Sequence, residues 1–235
     1  MDRLKADVHG IDLDRAVAAA SALGSLTKDP RARDALMGAL TLGAPPKLVT
    51  ALIEALGQHS DPKALNLLRH YVGHRNVRVR VAALVGIANL KTPIVEQVLI
   101  SVLGDSNPMV RARAARLLGE RSARKAQHAL FKMLGRGDKS AAAPLGKVGG
   151  VEAARQLAEM IGSADNDAIA TALGEMLKRK DFGPDPLRLQ VVKALSKIPG
   201  PGATAAMLEY IASVPEKDIR ISKRIAEQIV ANRQK

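Results

Sequence analysis

NPMVRARAARLLGE, residues 107–120, has the spacing of a helix with one face to bury. Its apolar residues Val110, Ala114, Leu117 and Leu118 fall at i, i+4, i+7 and i+8, a single stripe at the 3.6-residue period. Asn107 ahead of Pro108 supplies the start: a side chain that can accept from the first free N–H groups, then a proline whose missing N–H costs nothing in the first turn. A helix this short cannot cover its own stripe, so it needs neighbours of the same kind.

The rest of the chain provides them as copies. The segment that overlaps its end, LGERSARKAQHALFKMLG (118–135), aligns without gaps to LGKVGGVEAARQLAEMIG (145–162) and to LSKIPGPGATAAMLEYIA (195–212). LGQHSDPKALNLLRHYVG (56–73) has the same form 62 residues upstream, two periods of 31. Gly73, Gly104 and Gly135 keep that interval, as do Asn76 and Asn107, and Asp29-Pro30 and Asp61-Pro62 repeat the start signal. The three glycines are expected where helices stop. One later copy is 27 residues long, and the beat is irregular near 41–46 (TLGAPP) and 178–185 (KRKDFGPD).

This period predicts an all-α fold, an α-solenoid of about seven antiparallel helix pairs that occupies residues 1–235 as a single domain. A capping helix is expected in 217–235, with Ile219, Ile221, Ile225 and Ile229 closing the stack, and the alanine-rich helix Leu13–Leu26 is expected to cap the other end.

Composition agrees with helices. Of 235 residues, 47% are hydrophobic but only 2% aromatic, so the core must come from Leu, Ile, Val, Ala and Met. The absence of cysteine excludes disulfides, thiolate metal sites and a cysteine nucleophile, and fits a reducing cytoplasm, the expected compartment. MDRLKADVHGIDLDRA lacks an apolar stretch of signal-peptide length, and no run of eighteen apolar residues predicts a membrane span. The net charge of +13 is concentrated: residues 69–147 hold fifteen bases and four acids, so +11 lies in the middle third. That bears on partners, not on fold.

The segments NPMVRARAARLLGE, NVRVRVAALVGIAN, DPRARDALMGAL and DPLRLQVVKALSKI resemble HEAT repeats, including the HEAT-like repeats of phycocyanobilin lyases. The resemblance spans nearly the whole chain and implies a surface for binding other molecules, without a shared chemistry. It also implies a role for Arg33, Arg80, Arg111 and Arg188, which align with one another: each belongs to a ladder with the Asp or Asn at a helix start. Their position beside the apolar stripe agrees, since an arginine stem there lies on the core and its head reaches an acid or carbonyl of the next repeat.

Other bases in the middle repeats are surplus to that ladder. Arg116 points away from the stripe of 107–120 and Arg113 sits on its flank, Arg121 and Arg124 lie in the following turn, and Lys125, His128, Lys132 and Arg136 recur along one helix face. Only Glu120 and Asp138 are near enough in sequence to offset them. Val81 and Val85 take the outward positions of Ala112 and Arg116 one period earlier. The candidate partner-binding set is therefore Arg78, Val81, Val85, Arg113, Arg116, Arg121, Arg124, Lys125, Lys132 and Arg136. The alternative is that these bases are an ordinary solvated face.

A catalytic set is not visible. His9, His59, His70, His74 and His128 are scattered; His70 and His74 share i, i+4 spacing but lack a third ligand, and the His-Glu pairs of HEAT-like hydroxylases are missing. Gly135, Gly137, Asp138, Lys139 and Ser140 do not have phosphate-loop spacing, and Asp138 is expected to cap a helix. Without tryptophan, and with only Tyr71, Tyr210, Phe131 and Phe182, the chain is poorly equipped for a tetrapyrrole lyase or a base-stacking glycosylase. The expectation is a non-enzymatic, monomeric scaffold with no cofactor or metal, docking a protein partner with an acidic surface or segment. Duplex nucleic acid held through its phosphates is the alternative partner.

Overall fold

The computed structural model describes residues 1–233, which form fifteen α-helices and no strand. They are α1 (Asp2–Val8), α2 (Leu13–Ser25), α3 (Pro30–Thr41), α4 (Pro46–Gln58), α5 (Leu65–Tyr71), α6 (Val77–Ala88), α7 (Ile94–Ser101), α8 (Pro108–Glu120), α9 (Gln127–Gly135), α10 (Ala142–Val148), α11 (Val151–Glu159), α12 (Asn166–Lys178), α13 (Asp185–Ser196), α14 (Pro201–Ser213) and α15 (Ile221–Arg233). Several open with a 3₁₀ turn, as at Pro62–Ala64 ahead of α5. Contacts divide the chain into two compact units, residues 1–117 and residues from 118 onward, and the division falls inside α8.

The start signals act as read. Asn107 Oδ1 accepts from the Met109 N–H at 2.9 Å, and Asp29, Asp61 and Asn76 cap their helices or turns in the same way. Asp138 caps the 3₁₀ turn ahead of α10. Val110, Ala114, Leu117 and Leu118 are all buried, with Ala115 beside them.

In the first unit α2, α4 and α6 pack in sequence, with α3 and α5 beside them; in the second α10, α12 and α14 do the same, with α9, α11 and α13 alongside. Glycines within the helices permit this. A Cβ on Gly24 would stand 2.8 Å from Ala55 Cβ, one on Gly57 2.8 Å from Gly86 Cα, one on Gly146 2.5 Å from the Ala172 carbonyl oxygen, and one on Gly174 2.8 Å from Ala206 Cβ. These are closer than side-chain carbons approach, so helix backbones meet there directly. Gly73, Gly104 and Gly135 lie at helix ends as expected, but none adopts the left-handed conformation and a Cβ on each would meet open space. The αL residue after α9 is Gly137.

Ladder arginines tie their helices to the loops around them. Arg33 reaches Asp61, the next start residue; Arg80 donates to Asp105 Oδ1 and to its own His74 carbonyl, both at 2.9 Å; Arg111 donates to the Asp105 and Ser106 carbonyls at 3.0 and 3.1 Å. Arg188 reverses the direction. It is 3% exposed and reaches back into the irregular segment, donating to the carbonyls of Leu177, Arg179, Lys180 and Gly183, with Phe182 packed 6.0 Å from its guanidinium. The extra residues wrap around that side chain, which occupies its donors before the next repeat is reached.

Asp181, in the same segment, is held down to about 2, first by the Arg179 guanidinium and then by Arg124. An unpaired aspartate titrates near 3.9. A depressed folded value means that the pairing contributes fully above about pH 4 and is lost as pH falls toward 2. Solvent screens this half-exposed pair, so the effect is local. A carbon-detected NMR titration is expected to place the Asp181 carboxyl midpoint near 2, moving up in Arg179→Met; a midpoint near 3.9 in the parent removes the pairing.

At the C-terminal end the isoleucine stripe is displaced. Ser222, Ala226 and Val230 are the buried face of α15, whereas Ile219 and Ile221 are 96% and 53% exposed and Ile225 and Ile229 half-buried. The cause is the helix start. Asp185, on α13, accepts from the N–H groups of Ile221 and Ser222 at 2.9 and 3.3 Å and from the Ser222 hydroxyl, which also meets the buried Tyr210 hydroxyl. Drawing Ser222 inward fixes the rotation of the helix. Residues 234–235 of the expected cap lie outside the described residues.

Candidate functional site

The floor of the candidate site is α6, VRVRVAALVGIA, which is apolar on almost every side. Val79, Ala82, Ala83, Leu84, Ile87 and Ala88 are buried, leaving Val81 and Val85 half-buried on the remaining face. They are thus less open than the 31-residue offset implies, because α4 and α8 rise on either side. The result is an open groove of about 840 Å³ within the first unit, lined by Thr50, Glu54 and Gln58 of α4, by Arg78, Val81, Ala82, Val85 and Gly86 of α6 with Asn89, and by Met109, Ala112, Arg113 and Arg116 of α8.

Charge is distributed across it unevenly. Arg113 and Arg116 stand on the α8 side and Arg78 at the start of α6; Glu54 stands on the α4 side. The Arg78 and Arg113 guanidiniums have no acid or carbonyl partner among the described residues. Arg113 is half-buried, and its Nε is buried without an acceptor. Arg80 also has a buried Nε without an acceptor, but its terminal nitrogens are engaged in the ladder. Arg113 has no such use.

Five of the expected site residues, Arg78, Val81, Val85, Arg113 and Arg116, are therefore brought together. The other five belong to the second unit. Lys125, Lys132 and Arg136 are exposed along α9 and its ends together with His128, while Arg121 and Arg124 lie in the preceding turn. Arg124 is offset by an acid remote in sequence: it donates to Asp181 Oδ2 at 2.8 Å, across 57 residues. The α4 wall was not anticipated. Glu54 and Gln58 bracket the backbone-contact residue Gly57, and a glycine still inside the helix was the signal that could have placed them beside α6.

The remaining polar candidates have structural uses. His74 Nδ1 accepts from the Asn76 N–H at 3.0 Å, and Lys139 of the GDKS turn pairs with Asp165. Among the described residues no group of three or more His, Asp or Glu side chains is placed to hold a metal ion, and no helix is long and apolar enough to cross a membrane.

The family model for HEAT repeats matches residues 72–141 and 96–178, the region that contains α6 and α8. The chain carries HEAT repeats. Among solved structures, the complex of CpcE and CpcF of phycocyanin lyase from Nostoc sp. PCC7120 includes a chain 19% identical to this one, with TM-score 0.51 over 98% of this chain and 93% of that chain. Human deoxyhypusine hydroxylase in complex with glycerol is 21% identical, with TM-score 0.36 over 97% of this chain and 83% of that one. An engineered protein is 16% identical, with TM-score 0.40 over 98% and 97%. No curated protein matches the chain. At 19% identity the likeness to the phycocyanin lyase chain is one of fold, and the HEAT repeats themselves specify an array of helices without specifying what it holds.

Proposed function

We propose that this protein is a non-enzymatic HEAT-repeat interaction scaffold, and that the groove between α4, α6 and α8 docks an acidic segment of a protein partner. The observation that carries the reading is Arg113: a half-buried arginine with a buried, unsatisfied Nε, beside half-buried valines and without an acid of its own. A buried donor left unpaired costs about 1–3 kcal/mol, a cost with no return in the isolated fold. Apolar floor and basic wall together suit a peptide better than a phosphate backbone, which brings charge without apolar surface.

The test is fluorescence anisotropy with a labelled peptide of mixed glutamates and leucines and, in parallel, a labelled duplex of arbitrary sequence, both at low and near-physiological salt. Arg113→Glu and Arg116→Glu are expected to weaken the peptide at least about tenfold, while Lys125→Glu and Lys132→Glu leave it within about twofold. The opposite ranking removes the groove as the docking site. Duplex binding that persists and falls steeply with salt, with the peptide unbound, replaces a protein partner by a nucleic acid.

A further inference from the structure

We infer that the occupant of the groove is an amphipathic segment with aliphatic side chains on one edge and carboxylates on the adjoining edge, lying with its acids toward α8. This deepens the docking reading and rests on it. Three features of the groove fix the chemistry of the occupant beyond "acidic".

The first is asymmetry. Arg113 and Arg116 line the α8 side and Glu54 the α4 side. A uniformly anionic ligand would meet Glu54 as well as the arginines, and like-charge apposition acts against it. A segment acidic along one edge only avoids that apposition.

The second is the floor. Val81 and Val85 are half-buried rather than covered, and Met109, on the α8 side, is 62% exposed. Aliphatic side chains of a ligand would complete the burial of the valines, and the flexible thioether of Met109 can close over them. An acidic segment without aliphatic residues leaves that surface wet.

The third is the fixation of Arg113. Its Nε is buried, so the end of the stem is packed, and the residue lines the groove with no acid or carbonyl partner for its terminal nitrogens among the described residues. A planar, pre-positioned fork matches a carboxylate in two hydrogen bonds; an ammonium on a mobile stem does not. Little side-chain freedom remains to be lost on binding.

The experiment uses the full chain and three labelled peptides of about twenty residues: one with leucines on one helical face and glutamates on the adjoining face, one with every leucine replaced by serine, and a scramble of the first. The amphipathic peptide is expected to bind at least about tenfold tighter than the serine version and the scramble. Arg113→Lys, which keeps the charge and loses the fork, is expected to remove most of that preference, and Val85→Ser to reduce it. Equal affinity for the three peptides, with all three still lost in Arg116→Glu, overturns the amphipathic assignment and leaves the groove as a simple acid-binding site. Preference for the amphipathic peptide that survives both Arg113→Lys and Arg116→Glu places binding elsewhere and overturns both readings. Circular dichroism of each variant, unchanged from the parent, separates these results from loss of the fold.

Discussion

Gly146→Ala is expected to lower the melting temperature by about 5 °C, although alanine is the better helix former. Gly146 lies inside α10, and a Cβ there would stand 2.5 Å from the Ala172 carbonyl oxygen on α12. Backbone is what would have to move, and overpacking of this kind costs about 1–3 kcal/mol, more than the ~1 kcal/mol that alanine gains in helix propensity. Gly38, inside α3, is the internal comparison, because nothing lies within 4 Å of its Cβ position. Gly38→Ala is expected to raise the melting temperature by about 2 °C through propensity and a restricted unfolded chain. Thermal melts of both variants decide the matter: a stabilised Gly146→Ala protein rules out direct backbone contact between α10 and α12.

Arg188→Met should have a comparable effect by a different route. Methionine retains much of the buried stem but donates nothing to the carbonyls of Leu177, Arg179, Lys180 and Gly183. An acceptor that stays buried without a donor costs about 1–3 kcal/mol, and those carbonyls that water reaches cost less, so a loss of about 3 kcal/mol is expected overall. Because all four acceptors lie in or beside one segment, the damage is local first. Amide hydrogen exchange should accelerate over residues 179–184 before the rest of the second unit responds. A variant that melts and exchanges like the parent would mean that water substitutes for the guanidinium.

Helix starts were legible because their chemistry is local: an Asp or Asn and a proline, one residue apart, act on N–H groups of the same turn. At Arg33 and Arg80 the sequence marked arginines that reach an acid further along the chain, but the acids themselves, Asp61 and Asp105, do not recur with the repeat. What local pattern could not provide was rotation and long-range pairing. The isoleucines of 219–229 have the spacing to close a stack, yet Asp185 draws Ser222 inward and turns Ile221 to solvent, while Ile219 lies exposed ahead of α15. Arg124 counts as surplus until Asp181, 57 residues away, is placed beside it. In the groove, Val81 and Val85 followed from a 31-residue offset, and Arg113 and Arg116 from being surplus to the ladder. Glu54 did not, since the charge pattern pointed to the basic repeats and away from Gly57, beside it, a point of contact between helices.

The cap of α15 gives the fold a direction in time. Asp185 precedes Ile221 by 36 residues, so in a growing chain the acceptor for the last helix is made, and can be seated on α13, before the helix that needs it has emerged. The dependence runs one way: α13 begins without help from α15, while α15 begins on a template already laid down. Its N-terminal end therefore docks only once α13 is in place, and by the same hydrogen bonds its start depends on α13 for as long as the fold stands.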